Sequence, residues 1–377
     1  MIYRDFGNTG MRLSVLGFGC MRLPMTQKNG ESMVDDELAT PLLQRAVELG
    51  VNYFDTAWFY CDGDSQRAVG AALKGARDKV YISTKLPLFL VHKREDFLDF
   101  LERSLEQMGL EYLDFNYFHA LTYQTWKDKI LPLKLIDEAE KAKSKGLIRH
   151  LSFSFHGDAD KMSELIDTGA FSGVLGQYNL VDRRNEGVFA YAKSKGLGTA
   201  VMGPLMGGGL TDGGNTFLKR MESGAETSAE MGLRFAWGLP AVDVALSGMS
   251  TLAQLEENVR YAEGAESVSD AERQALIGRS RELEGLNDLY CTGCNYCDVC
   301  PQKIQPGRIF QMYLKHHVWG LDDSVRAQLV ATGPFALKAD PSVCTQCGAC
   351  TERCPQKIDI PTELGRVWPV LQDLSRG

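Results

Sequence analysis

Short runs rich in β-branched and aromatic residues alternate, up to about residue 265, with longer stretches whose apolar positions recur every three or four residues. The first pattern suits strands buried on both faces, the second suits helices packed along one stripe. The runs Val15–Gly19, Val51–Asp55, Val80–Lys85, Leu113–His119, Ile148–Ser154, Gly173–Tyr178, Gly198–Gly203 and Val242–Ser247 predict strands. Between them, Glu37–Leu49, Arg94–Met108, Pro132–Lys145 and Leu252–Tyr261 predict amphipathic helices. Gly50, Gly109, Gly146 and Gly196 stand where helices should end in a left-handed cap. Eight strand–helix units within about 250 residues have the size and rhythm of an α/β (β/α)8 TIM barrel. A doubly wound sheet would carry Gly-x-Gly-x-x-Gly after its first strand, whereas Gly17-Phe18-Gly19-Cys20-Met21 supplies only the first two glycines.

Beyond that point the rhythm breaks. The chain divides into a barrel at 1–265, a charged, helix-prone connector at 266–290 and a cysteine-bearing module at 291–377. Eight of ten cysteines lie in two runs there, and each run ends in Cys-Pro. The first is Cys291, Cys294, Cys297, Cys300; the second is Cys344, Cys347, Cys350, Cys354. Three thiolates spaced by two residues can wrap one face of an iron–sulfur cubane, and a fourth before proline points toward a neighbouring cluster. The spacing is that of a two-cluster bacterial ferredoxin, so two [4Fe-4S] clusters are expected. Cys-Pro-Gln-Lys-Ile occurs at 300–304 and again at 354–358, so the runs are copies. The first has one residue fewer before its last cysteine, which leaves the crossed assignment of fourth ligands open. Zinc favours two separated Cys-x2-Cys pairs, and disulfide frameworks belong to short secreted chains. The intervening Arg308–Lys315 and Ser324–Ala331 read as helices, so a mostly helical ferredoxin-like domain is expected.

Composition narrows the partners. A formal net charge of −8 argues against nucleic acid or anionic membrane, and no apolar stretch approaches bilayer length. Met1–Asp5 does not resemble a signal peptide, and thiolate ligands call for a reducing compartment, so a cytoplasmic location is expected.

If the strands are placed correctly, Asp55 and Tyr60 follow the second, Lys85 ends the third and His119 ends the fourth. Side chains at the C-terminal ends of barrel strands converge on one mouth, where barrel enzymes place their chemistry. A single buried tyrosine or histidine is more often a satisfied core residue, and Asp55-Thr56 alone would read as a helix cap. Lys85 fits that plain reading least, because an unpaired ammonium in a barrel interior is costly.

Asn52-Tyr53-Phe54-Asp55-Thr56-Ala57 with Tyr60, then Ser83-Thr84-Lys85, then Asp114-Phe115-Asn116-Tyr117-Phe118-His119, resembles the catalytic tetrad of the aldo/keto reductase family. The resemblance runs from Arg4 to about Tyr261, and the whole chain is similar to the branch fused to a C-terminal two-cluster module. It implies hydride exchange between NAD(H) or NADP(H) and a small carbonyl or alcohol substrate. In that scheme Tyr60 is the general acid, Lys85 stabilises its phenolate, Asp55 pairs with Lys85 and His119 orients the substrate oxygen.

The resemblance further implies that Gly19, Cys20 and Met21 lie near the nicotinamide ribose, and that Ser154 and Gln177 hold the carboxamide. Pro204, Leu205 and Gly207 would approach the pyrophosphate. Gly248, Gln254, Glu257 and Asn258 would line the adenosine segment, without the lysine and arginine that accompany 2′-phosphate selectivity. Trp58, Phe59, Leu88, Phe89, Leu121, Tyr123 and Trp126 are read as pocket walls or a docking surface. The polar insertion Pro24–Asp36 is read as a lid or a disordered loop, and Arg22, Arg183 and Arg184 as candidate anion contacts. Three readings of the clusters stay open: structural elements beside a self-sufficient reductase; electron transfer through a flavin, with ferredoxin or another electron carrier as partner; or a redox sensor on a reductase scaffold.

Overall fold

The computed structural model describes residues 1–28, 30–155, 159–180, 182–208, 210–211, 216–265, 269–282, 289–319, 322–331 and 336–376. Two compact units emerge. The first comprises Met1–Tyr178, Asp182–Pro204 and Leu233–Asp270; the second comprises Asn179–Val181, Leu205–Gly232 and Ala271–Gly377.

The first unit holds a closed barrel of eight parallel strands: Leu16–Gly19, Tyr53–Asp55, Tyr81–Leu86, Leu113–Phe118, Ile148–Phe155, Gly173–Gln177, Gly198–Met202 and Val244–Ser247. Strand neighbours follow chain order, and the eighth closes on the first through Ser247 opposite Phe18. Each strand falls within two residues of its predicted run. Their residues read as nearly unbroken apolar runs because helices cover the outer face while side chains fill the inner one. The expected helices appear as Asp36–Glu48, Asp96–Met108, Leu135–Ser144 and Leu252–Glu263. All four cap glycines take positive φ.

A hairpin of Tyr3–Asp5 with Arg12–Ser14 precedes the barrel. Phe6 leaves its turn and packs edge-on against Phe115, with ring centroids 5.1 Å apart. The ring fits only because the sixth and seventh strands begin with glycine: a Cβ at Gly198 would stand 2.3 Å from Phe6, and one at Gly173 2.8 Å. Above this plug, Tyr53, Phe115, Tyr117, Leu175, Ala200, Val244 and Leu246 fill the interior. The only polar atoms this layer introduces are the Tyr53 and Tyr117 hydroxyls, which satisfy each other at 3.0 Å.

The insertion read as a lid or a disordered loop forms an antiparallel hairpin, Met25–Lys28 with Glu31–Val34, so the disordered-loop reading falls. Its outer strand is fully exposed, so no apolar alternation announced it, and Val34 N–H is anchored on Asp64 Oδ2 at 2.9 Å. Asn29 at its tip lies outside the described residues.

The second unit is helical: Asp270–Glu282, Pro306–Trp319, Asp322–Leu329 and Ile360–Arg376. The two helices expected between the cysteine runs are present. Parts of the predicted connector, 266–268 and 283–288, lie outside the described residues. Ile309, Phe310 and Met312 are buried on one helix, Leu364, Val367 and Leu371 on another. Cross-links such as Arg366 to the Tyr313 hydroxyl, 3.1 Å, fix their pairing. Among the described residues no helix is long and apolar enough to cross a membrane.

Phe6→Ala is expected to destabilise the barrel unit by about 3–5 kcal/mol, since it leaves a ring-sized void that flanking glycines cannot fill. A lower denaturation midpoint followed by near-ultraviolet circular dichroism would show it.

Candidate active site

Period-two alternation along the third strand sends Tyr81, Ser83 and Lys85 to the barrel interior. Lys85 has almost no solvent exposure, 2%, and Asp55 the same. Lys85 Nζ donates to Asp55 Oδ2 at 2.5 Å and to the Thr56 carbonyl at 2.8 Å. Ser83 Oγ donates to the other carboxylate oxygen at 2.7 Å, a contact set by the register that places Asp55 opposite Ser83. Both charges are thus paired and hydrogen-bonded, the condition for keeping an ion pair in an apolar interior. Nζ also lies 4.6 Å from the centroid of the Tyr60 ring, and that ring meets the His119 imidazole edge-on at 6.3 Å. Four residues scattered over 65 positions of chain are therefore brought together at the C-terminal mouth. Ser83 was not singled out in the sequence, although its place two residues before Lys85 marks it as inward-facing.

Tyr60 is held by a strained turn. Cys61 and Asp62 have φ of 54° and 55°, and Gly63 follows at 95°. Left-handed non-glycine residues cost about 1–3 kcal/mol each and persist only where surroundings enforce them. Here Gln107 donates to the Gly63 carbonyl at 3.1 Å, Asp64 N–H to the Cys61 carbonyl at 3.0 Å, and Arg67 clamps Asp64. Ser65 Oγ ties the turn to the Cys20 carbonyl at 2.8 Å. Burial pushes the Cys61 thiol up to about 11 and, reinforced by Asp55 and Cys61, pushes buried Cys20 well up. Neither is an activated thiolate, and Cys20 behaves as a small buried apolar residue.

The remaining predicted contacts are placed unevenly. Ser154 Oγ accepts the N–H of Ala120 at 2.9 Å, and its carbonyl accepts that of Leu121, so Ser154 positions the turn carrying His119. Gln177 donates to the Gly203 carbonyl at 3.3 Å, beside Pro204. Buried Asn185 was missed by the sequence reading: its Nδ2 donates to the Gln177 carbonyl at 2.9 Å, while its Oδ1 has no hydrogen-bond partner. Gln254 accepts from Ser250 N–H, Glu257 from the Tyr261 hydroxyl, and Asn258 donates to Ser247. Gly19 lies against Gly248, and the stem of exposed Arg22 passes 3.5 Å from where a Cβ on Gly248 would stand. The Arg22 side chain therefore runs beside this segment, from the loop carrying Cys20 and Met21. Leu205 and Gly207 belong to the second unit, Gly207 with φ of 64°.

The pocket-wall reading narrows. Trp58 packs edge-on against Phe100 under the Arg103 guanidinium; Leu121 is fully buried, Leu88 nearly so, and Trp126 leans on Phe171. Tyr123 donates to Glu164. Phe59 and Phe89 stack at 4.9 Å and remain exposed. Of the candidate anion contacts, Arg184 is paired with Asp182 at 2.9 Å.

In the second unit Cys291, Cys294, Cys297 and Cys354 line one cavity with Phe310 and Ile360. Cys350, its thiol raised by burial first, also feels Cys300 and Cys344. Cys354 thus shares a cavity with the first run's triplet, and Cys300 lies near Cys344 and Cys350 of the second run. Among the described residues no three His, Cys, Asp or Glu side chains converge tightly enough for one metal ion. Thiols spread around a shared cavity suit a multi-iron cluster better than a single zinc.

The sequence pattern of the aldo/keto reductase family matches residues 15–274, and that of a 4Fe-4S dicluster domain matches residues 290–359. The oxidoreductase YqkF of Bacillus subtilis is 25% identical over 74% of this chain and 96% of its own. L-galactose dehydrogenase of Arabidopsis thaliana is 27% identical over 76% and 95%. Among solved structures, an aldo-keto reductase of Bacillus halodurans in its holo form superposes with a TM-score of 0.63 at 25% identity, covering 74% of this chain and 96% of its own.

Removing only one member of the buried pair, as in Asp55→Ala, is expected to cost about 3–5 kcal/mol of barrel stability by stranding an ammonium. Adding Lys85→Met should recover much of that loss, which a double-mutant cycle of denaturant unfolding measures.

Proposed function

We propose that this chain, which belongs to the aldo/keto reductase family and carries a 4Fe-4S dicluster domain, interconverts small carbonyl compounds and alcohols with a nicotinamide dinucleotide. The observation that carries the reading is the buried Asp55–Lys85 pair lying against the Tyr60 ring, with His119 beside it. In the reductive direction Tyr60 passes its phenolic proton to the carbonyl oxygen. A phenol with a pKa of roughly 10 is a weak acid at neutral pH unless a nearby positive charge stabilises its anion. The Lys85 ammonium provides that charge, and Asp55 with Ser83 keeps it in place. His119 hydrogen-bonds the same oxygen and fixes the carbonyl toward Tyr60. Phe59 and Phe89 give the substrate an apolar flank.

A bound dinucleotide would supply the hydride. Residues of the first unit suit such a ligand: the unsatisfied Asn185 Oδ1 beside Gln177 can accept from an amide, and Gly19 and Gly248 leave room for close approach. The Arg22 stem passes Gly248, close enough for its guanidinium to meet a phosphate there, so NADPH stays open beside NADH. The division of labour assigns the reductase to 1–265 and the clusters to 291–377, joined by 266–290. Each cluster would be held by three cysteines of one run and the last of the other. Thiolate ligation on this scale suits a reducing compartment such as the cytoplasm.

The test is Tyr60→Phe in anaerobically purified protein reconstituted with iron and sulfide, assayed by dinucleotide oxidation against aldehydes and ketones. Turnover should fall about 10²–10⁴-fold, the usual worth of a positioned acid. Dinucleotide binding, followed by fluorescence titration, should be unchanged. Near wild-type turnover would refute the role.

A further inference from the structure

Gln66 is a fully buried amide outside the catalytic group. It stands in the first turn of the helix Ser65–Leu73, directly after the strained turn that ends at Gly63. Thr84 on the third barrel strand, itself buried, donates its hydroxyl to Gln66 Oε1 at 2.6 Å. Gln66 Nε2 donates to Gln107 Oε1 at 2.6 Å, and Gln107 Nε2 donates to the Gly63 carbonyl at 3.1 Å. Thr84 is the residue before Lys85, and Gly63 ends the turn that follows Tyr60. The three hydrogen bonds therefore run from the strand of the ammonium to the loop of the phenol.

One end fixes the direction of all three. The Gly63 carbonyl can only accept, so Gln107 must face it with the amide nitrogen and turn its oxygen toward Gln66. Gln66 must then donate to that oxygen, which leaves its own oxygen for the Thr84 hydroxyl. Bonds aligned head to tail polarise one another, and a low local dielectric strengthens each. A helix crossing brings the two glutamines together. A Cβ at Gly70, one turn beyond Gln66, would collide with the carbonyl of Met108, the residue after Gln107. Glycine lets the two backbones meet that closely. An apolar side chain of similar length would fill the place of Gln66 without burying an amide, so packing alone does not call for it.

We propose that Gln66 is a positioning residue for proton transfer: with Thr84 and Gln107 it holds the Tyr60 turn in register with Lys85. The inference deepens the reading of Tyr60 as the acid and rests on it. A turn with two left-handed non-glycine residues relaxes unless its surroundings fasten it. Relaxation would carry the Tyr60 ring away from the ammonium, which lies 4.6 Å from its centroid. Around the ring stand Lys85, its partner Asp55 and His119, from the third, second and fourth strands. Cys61 and Asp62 follow on the same turn, and the Cys61 thiol meets the Cys20 carbonyl at 3.6 Å. The other elements packed on the turn bring Arg22 and Glu31, both exposed, and Asp64, which Arg67 holds at 2.6 Å. Lys85 is the cation that stabilises a phenolate here, so the acidity of Tyr60 follows the distance between them.

The test titrates Tyr60 directly as well as through turnover. In reconstituted full-length protein, tyrosinate absorbance is followed against pH, with the Tyr60→Phe form of each variant as its blank. Gln66→Leu and Thr84→Val should each raise the Tyr60 midpoint by about one pH unit, toward that of a free phenol. The alkaline limb of carbonyl reduction should move up with it, and turnover at neutral pH should fall about tenfold. Dinucleotide binding, read by fluorescence, should not change. Thr84→Ser keeps the hydroxyl and should behave as the unaltered protein. Should Gln66→Leu fail to fold, Gln107→Met decides in its place, since Gln107 reaches solvent and the change adds no charge. A lower denaturation midpoint with the Tyr60 midpoint and turnover unmoved would overturn the proposal and leave Gln66 a packing residue. Equal shifts in Thr84→Ser and Thr84→Val would overturn it too. Full turnover in Tyr60→Phe would sink the carbonyl reading instead, whereas the absorbance titration reports on the hydrogen-bond chain by itself.

Discussion

A lysine ammonium with 2% exposure persists inside a barrel only if a counter-charge and further acceptors surround it. Asp55, the Thr56 carbonyl and, through the carboxylate, Ser83 meet that requirement, and they dictate much of the mouth. The second strand must end at Asp55 and the third must present Ser83 opposite it. The chain after Thr56 must then turn so that the Tyr60 ring covers the ammonium. Substituting an apolar residue for Lys85 would relieve all three constraints, and the arrangement would have no physical reason to exist. Its persistence is the strongest sign that the site serves chemistry rather than packing.

The turn at Tyr60 shows the same logic at the level of the backbone. Two left-handed non-glycine residues and a glycine in succession form a conformation no local propensity would choose. Gln107 from a neighbouring helix and Ser65 at the start of the next hold it from opposite sides. The loop after the fourth strand is similar: Ala120 at φ 52° is fastened by the Ser154 hydroxyl, which places His119. Ser154, expected to touch a dinucleotide, thus also braces the loop that carries His119. Binding and catalysis would share one scaffold.

The cysteine module solves a different problem. Two near-identical runs could each close on themselves, yet Cys354 shares a cavity with the first run's triplet and Cys300 lies near Cys344 and Cys350. That sharing ties the two halves of the module together, because the cavity lined by Cys291, Cys294 and Cys297 is closed by Cys354 of the other run. The helices between the runs provide the apolar core that so short a module otherwise lacks.

Much of this was legible in the chain. The barrel strands are found within two residues of their predicted runs because burial on both faces forces continuous apolar composition. Lys85 was conspicuous because a lone ammonium is out of place in such a run. The cysteine spacing specified multi-iron sites because thiolate geometry is local. Other features carried no such signature. The hairpin at 25–34 is polar and exposed, so its pairing left no periodic trace. Which loop aromatics face solvent, Phe59 and Phe89 rather than Trp58 or Trp126, depended on turns whose φ angles composition does not encode. The unpartnered Oδ1 of Asn185, the approach of the Arg22 stem to Gly248 and the unequal burial of the two cysteine runs arise only when distant segments meet. Local chemistry is written in residue type and spacing, whereas proximity across the fold is set by packing, and only the assembled barrel and module decide it.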